Sequence, residues 1–153
     1  PSSDAVVSAT SLDADTEVAA LHFVALGGAS RSLAGQALAE GFSADGSVYV
    51  FLDQVVVGGG DPGRLQLYRP SDDSISLLDS DIVSATFADA ATLLYRSSSD
   101  VLSTADVSSN ETSVLRKNVD DYEKVPDSVG GNASRVAVGV KSGADAGIYI
   151  LEL

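Results

Sequence analysis

Phe42-Ser-Ala-Asp-Gly-Ser-Val-Tyr-Val-Phe51 places a turn directly before an apolar run, and this stretch decides the fold. Asp45-Gly46 supplies the turn, because glycine accepts a positive φ and aspartate caps its own backbone. The residues after it, Val48–Leu52, are nearly all apolar, as in a strand covered on both faces. The pattern returns as Phe87-Ala-Asp-Ala-Ala-Thr-Leu-Leu-Tyr95, and in degraded form as Gly130-Gly-Asn-Ala-Ser-Arg-Val-Ala-Val-Gly139. Aligned on Asp45, Asp89 and Asn132, the copies lie 44 and 43 residues apart (89−45, 132−89).

Between the copies the chain reads as further strands and turns. Gln36–Phe42 leads into the first turn, Val55–Val57 extends the strand after it, and Gly58–Gly63 forms a glycine-rich loop. Leu65, Leu67 and Tyr68 mark the next strand, Pro70–Ser74 a turn, and Ile75–Leu78 the last strand of the unit. The following unit repeats this order with strands over Ile82–Phe87, Thr92–Arg96, Val101–Val107 and Thr112–Leu115. The next begins near Lys124-Val125, runs through Arg135–Val140 and reaches Ile148–Leu151; its fourth strand is expected to be missing at Leu153. A period near ~40–45 residues with several strands per unit is the signature of propeller blades. The expected fold is therefore all-β, a partial β-propeller of three to four blades of four-stranded antiparallel sheets. A Greek-key β-sandwich also suits strands at this spacing.

The expected organisation is one domain over residues 1–153, with an irregular first unit at 1–35 and blade-like units at 36–81, 82–122 and 123–153. In the first unit Val6–Leu12 and Val18–Leu26 fit two strands, and superposing Asp15 on Asp45 leaves 30 residues (45−15), too few for a complete set of strands. Ser30–Glu40 fits a strand or a short helix, since Leu33, Ala34, Ala37 and Leu38 share a helical face. Fewer than four blades leaves apolar faces and strand edges open. A longer parent protein, a ring of copies or a sandwich would each resolve this, and the abrupt end inside an apolar strand together with the absence of any methionine favours the longer parent.

Phe42-Ser-Ala-Asp-Gly-Ser and the apolar strand after it resemble the TolB-like and WD-repeat classes of β-propeller. In those families a Ser-Pro-Asp-Gly turn precedes the second strand of each blade; Ala44 stands here in place of the proline. The tryptophan-aspartate ending of WD repeats is absent, because the chain has no tryptophan. The resemblance spans residues 36–153 and implies a binding platform.

Composition narrows the chemistry. The chain has 153 residues, 22 acidic against 9 basic, for a formal charge of −13. No basic cluster is available to neutralise phosphates, which argues against nucleic acid as a partner, and anionic membrane surfaces repel such a chain. Acidity serves solubility, with adaptation to a salty medium as an alternative. With 44% hydrophobic residues the chain can bury a core. Without cysteine there are no disulfides, thiol nucleophiles or thiolate metal sites. No run of about 18 apolar residues is present, so no membrane insertion is expected.

No catalytic set assembles in the sequence. His22, the single histidine, lies in the apolar run Ala19–Leu26, and a general base needs a partner within reach. No Gly-x-Ser-x-Gly elbow marks a serine nucleophile. Gly58-Gly-Gly-Asp-Pro-Gly63 matches a dinucleotide fingerprint in form, but Pro62-Gly63 leads into a strand where that site needs a helix. Carboxylates pair at Asp13/Asp15, Asp72/Asp73, Asp79/Asp81 and Asp120/Asp121. Calcium takes six to eight oxygens, and Asp120-Asp-Tyr-Glu123 is the densest candidate, so Asp120 and Asp121 are the metal candidates; as turn residues these aspartates need no ion. Paired carboxylates across a loop funnel would also suit a glycosidase. Asn110-Glu-Thr112 and Asn132-Ala-Ser134 are glycosylation sequons by pattern. The tyrosines fall about once per strand group, which reads as core packing.

The expected function is non-catalytic: a repeat module, extracellular or periplasmic, that presents loops to a protein or carbohydrate ligand within a longer secreted protein or assembly. An accessory or inhibitory domain of a secreted hydrolase is the alternative, with the remainder of its own precursor, or further copies of itself, as partner.

Overall fold

The computed structural model describes residues 5–13, 15, 17–25, 30–55, 62–125, 134–141 and 143–153. These form twelve strands and no helix among the described residues: β1 (Ala5–Thr10), β2 (Ala19–Ala25), β3 (Ser30–Phe42), β4 (Tyr49–Asp53), β5 (Gly63–Arg69), β6 (Ser74–Phe87), β7 (Thr92–Ser97), β8 (Val101–Asp106), β9 (Thr112–Lys117), β10 (Val119–Val125), β11 (Arg135–Val140) and β12 (Gly147–Glu152). Within each of two sheets the strands pair in sequence order, giving an open sheet ordered β1 to β9 and a second of β10-β11-β12. The all-β expectation therefore holds. Contacts divide the chain into two compact units, Pro1–Val83 and Ser84–Leu153.

The repeated aspartate does the same work in both described copies. Asp45 Oδ1 accepts the Ser47 amide at 3.0 Å and the hydroxyls of Ser43 and Ser47 at 2.7 and 2.8 Å, while Gly46 takes φ 71°. Asp89 Oδ1 accepts the amides of Ala91 and Thr92, each at 2.7 Å. In both turns a backbone bond closes the loop, from Ser43 N to Val48 O and from Ala88 N to Thr92 O. A carboxylate that binds local amides replaces backbone pairing that the turn cannot provide. Asn132 and the Gly130–Asn132 turn lie outside the described residues.

A second repeat lies in backbone conformation. Asp73 and Asn110 both take left-handed φ values, 56° and 60°, at the turns before the second half of their hairpins. Asp81 (φ 60°) sits in a bulge of β6, and Asn118 (φ 59°) is the single residue between β9 and β10. Each pair is 37 residues apart (110−73, 118−81). Asp and Asn are the side chains that tolerate this region best after glycine.

Two expectations are corrected in detail. The strand leading to Arg135–Val140 starts at Val119, ahead of the expected Lys124-Val125, because Asn118 turns the backbone in one step. The strand after Asp45 stops at Asp53: Gln54 takes φ 60° and its amide donates to Asp53 Oδ1 at 2.8 Å. Val55 is buried beyond that kink, and Val56 and Val57 lie outside the described residues. The segment Ser30–Glu40, open between helix and strand, is strand throughout. Ala19 faces Ala37 and Leu21 faces Ala34, so β3 carries one extra residue between them. That bulge brings positions three apart to one face, which imitates helical spacing.

Each unit has its own core. In the first, Ala19, Leu21 and Phe23 of β2 pack with Ala34, Ala37, Tyr49, Phe51 and Tyr68. In the second, Ala88, Leu94 and Leu102 pack with Val119, Val136, Val138 and Val140. The strands after the repeated turns differ in coverage. Four successive residues of β4 (Tyr49–Leu52) and three of β7 (Leu93–Tyr95) are buried, so both faces are covered. In β2 and β11 burial alternates, and one face is only half-buried.

The turn carboxylates make an acid-stability prediction. Hydrogen bonds from the Ser47 amide and the Ser43 and Ser47 hydroxyls hold Asp45 down at about 2. Asp106 is likewise held at about 2, foremost by the Ser108 hydroxyl at 2.6 Å, then by the amides of Ser109 and Ser108. The unfolded carboxyl titrates near ~3.9, so the folded state binds these protons less tightly. Their stabilisation is complete above about pH 4 and is lost as pH falls through about 2. Urea midpoints across this range should drop less steeply for the double variant Asp45→Asn/Asp106→Asn than for the parent. Equal slopes would show that these turns are not titrating as described.

Candidate functional site

At one end of the second unit the turn Ser97–Val101 and the starts and ends of β10 and β11 converge. Val119 N donates to Asp100 O at 2.9 Å and Lys141 N to Asn118 O at 3.3 Å. Asp100 (φ 61°) is the hub: Oδ1 lies 3.2 Å from Arg96 Nη1 and Oδ2 lies 2.9 Å from Lys141 Nζ. Lys141 Nζ also approaches Asp120 Oδ1 at 3.7 Å. Its hydrogen bond to Asp100 raises the Lys141 pKa, with the charges of Asp100 and Asp120 adding to it. Lys141 is thus a fixed cation, unsuited to act as a base.

Asp120 and Asp121 do not converge. Pairing shifts between Val119, opposite Val140, and Asp121, opposite Gly139, leaving Asp120 in a bulge. Asp120 turns to the Lys141 ammonium, whereas Asp121 Oδ1 accepts the Tyr122 amide at 2.8 Å. No group of three or more metal-ligating side chains occurs among the described residues. The other aspartate pairs are engaged locally, in turns or, for Asp79/Asp81, in the bulge of β6. Asp13 Oδ1 takes the Asp15 amide, Asp72 Oδ1 the Ser74 hydroxyl and amide, and Asp79 Oδ1 the Ser80 amide.

His22 is half-buried on β2, with Ser8 and Ser32 as its strand neighbours and no carboxylate opposite. Asn110 sits in an exposed turn. Of the glycine-rich loop only Pro62 and Gly63 are described. Gly63 is close-packed: a Cβ there would stand 3.0 Å from Asp53 O, Leu52 Cβ and Val55 Cγ2. The second sequon, apart from Ser134, lies outside the described residues.

Beside the ionic cluster is a shallow cleft of about 290 Å³ lined by Val114, Leu115, Arg116, Lys117, Asn118, Val140 and Asp145. The Arg116 guanidinium stacks 4.3 Å from the Tyr149 ring centre and reaches Asp145 Oδ2 at 4.0 Å. The Tyr149 hydroxyl donates to Asp145 O at 2.6 Å. The first unit holds a similar trio: Arg31 lies 5.6 Å from the centre of Tyr68 and pairs with Asp73, which also accepts the Tyr68 hydroxyl at 3.0 Å. Arg31 foremost, then the tyrosine, keeps the Asp73 carboxyl below its usual range. Sequence reading missed both trios, since their members lie 42 and 33 residues apart (73−31, 149−116) with no motif linking them. The tyrosines did signal core packing, and Tyr49, Tyr68 and Tyr95 are buried.

The fold and this loop end define an all-β chain of antiparallel sheets, one of nine strands and one of three, with a polar, cation-bearing cleft. No known family model matches the chain, and no curated protein is similar to it at a significant level.

Proposed function

We propose that the chain is a β-propeller repeat module whose loop ends bind a protein or glycan partner, without catalysis, within a longer secreted protein or assembly. The observation that supports this reading is the recurrence of one turn, with its capping aspartate before a buried strand and a left-handed Asp or Asn further along the next hairpin. Strands of that kind form a stiff support, and the loops between them are where such supports carry recognition. At the described loop end the charged side chains are already paired, Asp100 by two cations and Arg116 by Asp145 and Tyr149. Pre-ordered arginine and aromatic groups beside small apolar patches suit an extended polar ligand with aliphatic edges.

A glycan array and a pull-down with the intact parent test the reading. A ligand should be captured, and Arg116→Ala should weaken it roughly tenfold or more, as for an anchoring arginine. Failure to find any ligand, together with turnover of a substrate, would overturn the proposal.

A further inference from the structure

The cleft beside β9 carries more positive charge than its own carboxylates match. Arg116 and Lys117, the one pair of adjacent basic residues in the chain, line it with Val114, Leu115 and Asn118. The Arg116 guanidinium lies over the Tyr149 ring, a contact that uses its face, whereas its donors lie in its plane. The carboxylate that approaches those donors, Asp145 Oδ2, is 4.0 Å away, beyond hydrogen-bond length, and its side chain is 79% exposed. Lys117 is exposed and has no carboxylate partner among the described residues. The other charges around this end are matched. Asp100 lies between Arg96 and Lys141, Asp120 faces Lys141, and Asp121 takes the Tyr122 amide. Arg135 and Glu152 stand opposite each other in register, five residues along β11 from Val140 (140−135).

Two features select among anionic ligands. A peptide that adds as a strand needs a regular open edge, and β9 has an extra residue, Leu115, between Val114 and Arg116, with two cations after it. A polyanion would meet, beyond the cleft, the field of a chain whose formal charge is −13. The ligand that suits the cleft has one carboxylate on an otherwise neutral body. It also has C–H faces for the exposed Val114 and hydroxyls for the Asn118 amide. An acidic sugar combines all three.

We infer that this cleft binds a uronate residue of a sparsely charged glycan, with the sugar carboxylate taken by the in-plane donors of Arg116 and Lys117 adding to the field. The inference rests on the binding-module reading above and narrows its ligand class. Asp145 is then the competing carboxylate, displaced when the sugar enters. Binding weakens as salt screens the single ionic contact.

Titration of the chain with methyl glucuronide, methyl glucoside and N-acetylaspartyl amide, followed by the shifts of its amide resonances, tests it. The glucuronide should move the amides of Leu115, Arg116, Lys117 and Asp145. It should bind at least about tenfold more tightly than the glucoside, the worth of one charge-assisted hydrogen bond. The aspartyl amide, which lacks the ring faces and hydroxyls, should bind more weakly than the glucuronide. Arg116→Gln should abolish the preference for the acidic sugar. Asp145→Asn should tighten glucuronide binding by roughly threefold or more, because a like charge leaves the site. That gain also decides the matter if Arg116→Gln fails to fold. No shift with the glucuronide, equal affinity for the glucoside, tighter binding of the aspartyl amide, or an unchanged affinity in Asp145→Asn would each overturn the inference. Capture of a neutral glycan or a protein by the intact parent, with no glucuronide binding, would refute the acidic sugar alone and leave the binding-module reading standing.

Discussion

Phe51→Ala should lower the unfolding free energy by about 3–5 kcal/mol, the cost of removing a buried aromatic ring and leaving a cavity. Phe51 sits in the first-unit core, stacked on Tyr49 with ring centres 6.1 Å apart and an interplanar angle of 25°. Tyr49 in turn meets Phe42 at 4.7 Å, and Phe23 meets Tyr68 edge-on at 4.9 Å. The rest of this core includes Ala19, Ala34 and Ala37. Alanine has no side chain to swing into a void, so the cavity persists and the cost falls in the upper half of the range. Urea denaturation measures it, with Phe51→Leu as the control that retains most of the volume and loses less. Total stabilities near ~5–15 kcal/mol make this a large fraction. A loss under ~1 kcal/mol would mean that β4 is not packed as described.

Leu93→Ala and Leu94→Ala should each cost about 2–5 kcal/mol, and the equality is the informative part. Adjacent strand residues point to opposite faces. In a sheet with one wet face, one of these leucines would be on the surface and its truncation would cost almost nothing. Both are fully buried in β7, so both substitutions leave cavities. Ile148→Ala, by contrast, should leave the stability of the isolated chain nearly unchanged, because that side chain is exposed. Comparing the three midpoints in urea separates two-sided from one-sided burial directly. A cheap Leu93→Ala or Leu94→Ala would refute the two-sided packing of β7.

Much of the strand pattern is legible in residue order because its causes are local. Asp45-Gly46 and Asp89 build turns from their own side chains, and the apolar runs beside them can only be strands covered on both sides. β11 likewise follows from the alternation in Arg-Val-Ala-Val-Gly-Val. Ser30–Glu40 was ambiguous because a bulge opposite Ala19–Leu21 alters the strand period, and only the partner strand shows it. Asn118 was not recognised as a joint, since asparagine is common in turns and the chain offers no glycine or proline there to punctuate it.

The candidate site was much less legible. Asp120 and Asp121 look like a pair in sequence, yet a bulge sends one to Lys141 and the other to the Tyr122 amide. The Arg116–Tyr149–Asp145 group has no sequence signal, because it joins residues that meet only when β9 and β12 are folded.

By itself, the sequence determined that this chain is built of strands, where most of its turns fall, and that one turn-and-strand motif recurs. Those properties follow from side chains acting on their own backbone and from the alternation of apolar residues. Tertiary structure alone decided which faces are covered, which carboxylates meet cations and where Ile148 and Ile150 stand open to solvent. The reason is that burial and ion pairing depend on what lies across space from a residue, and strand register sets that neighbour.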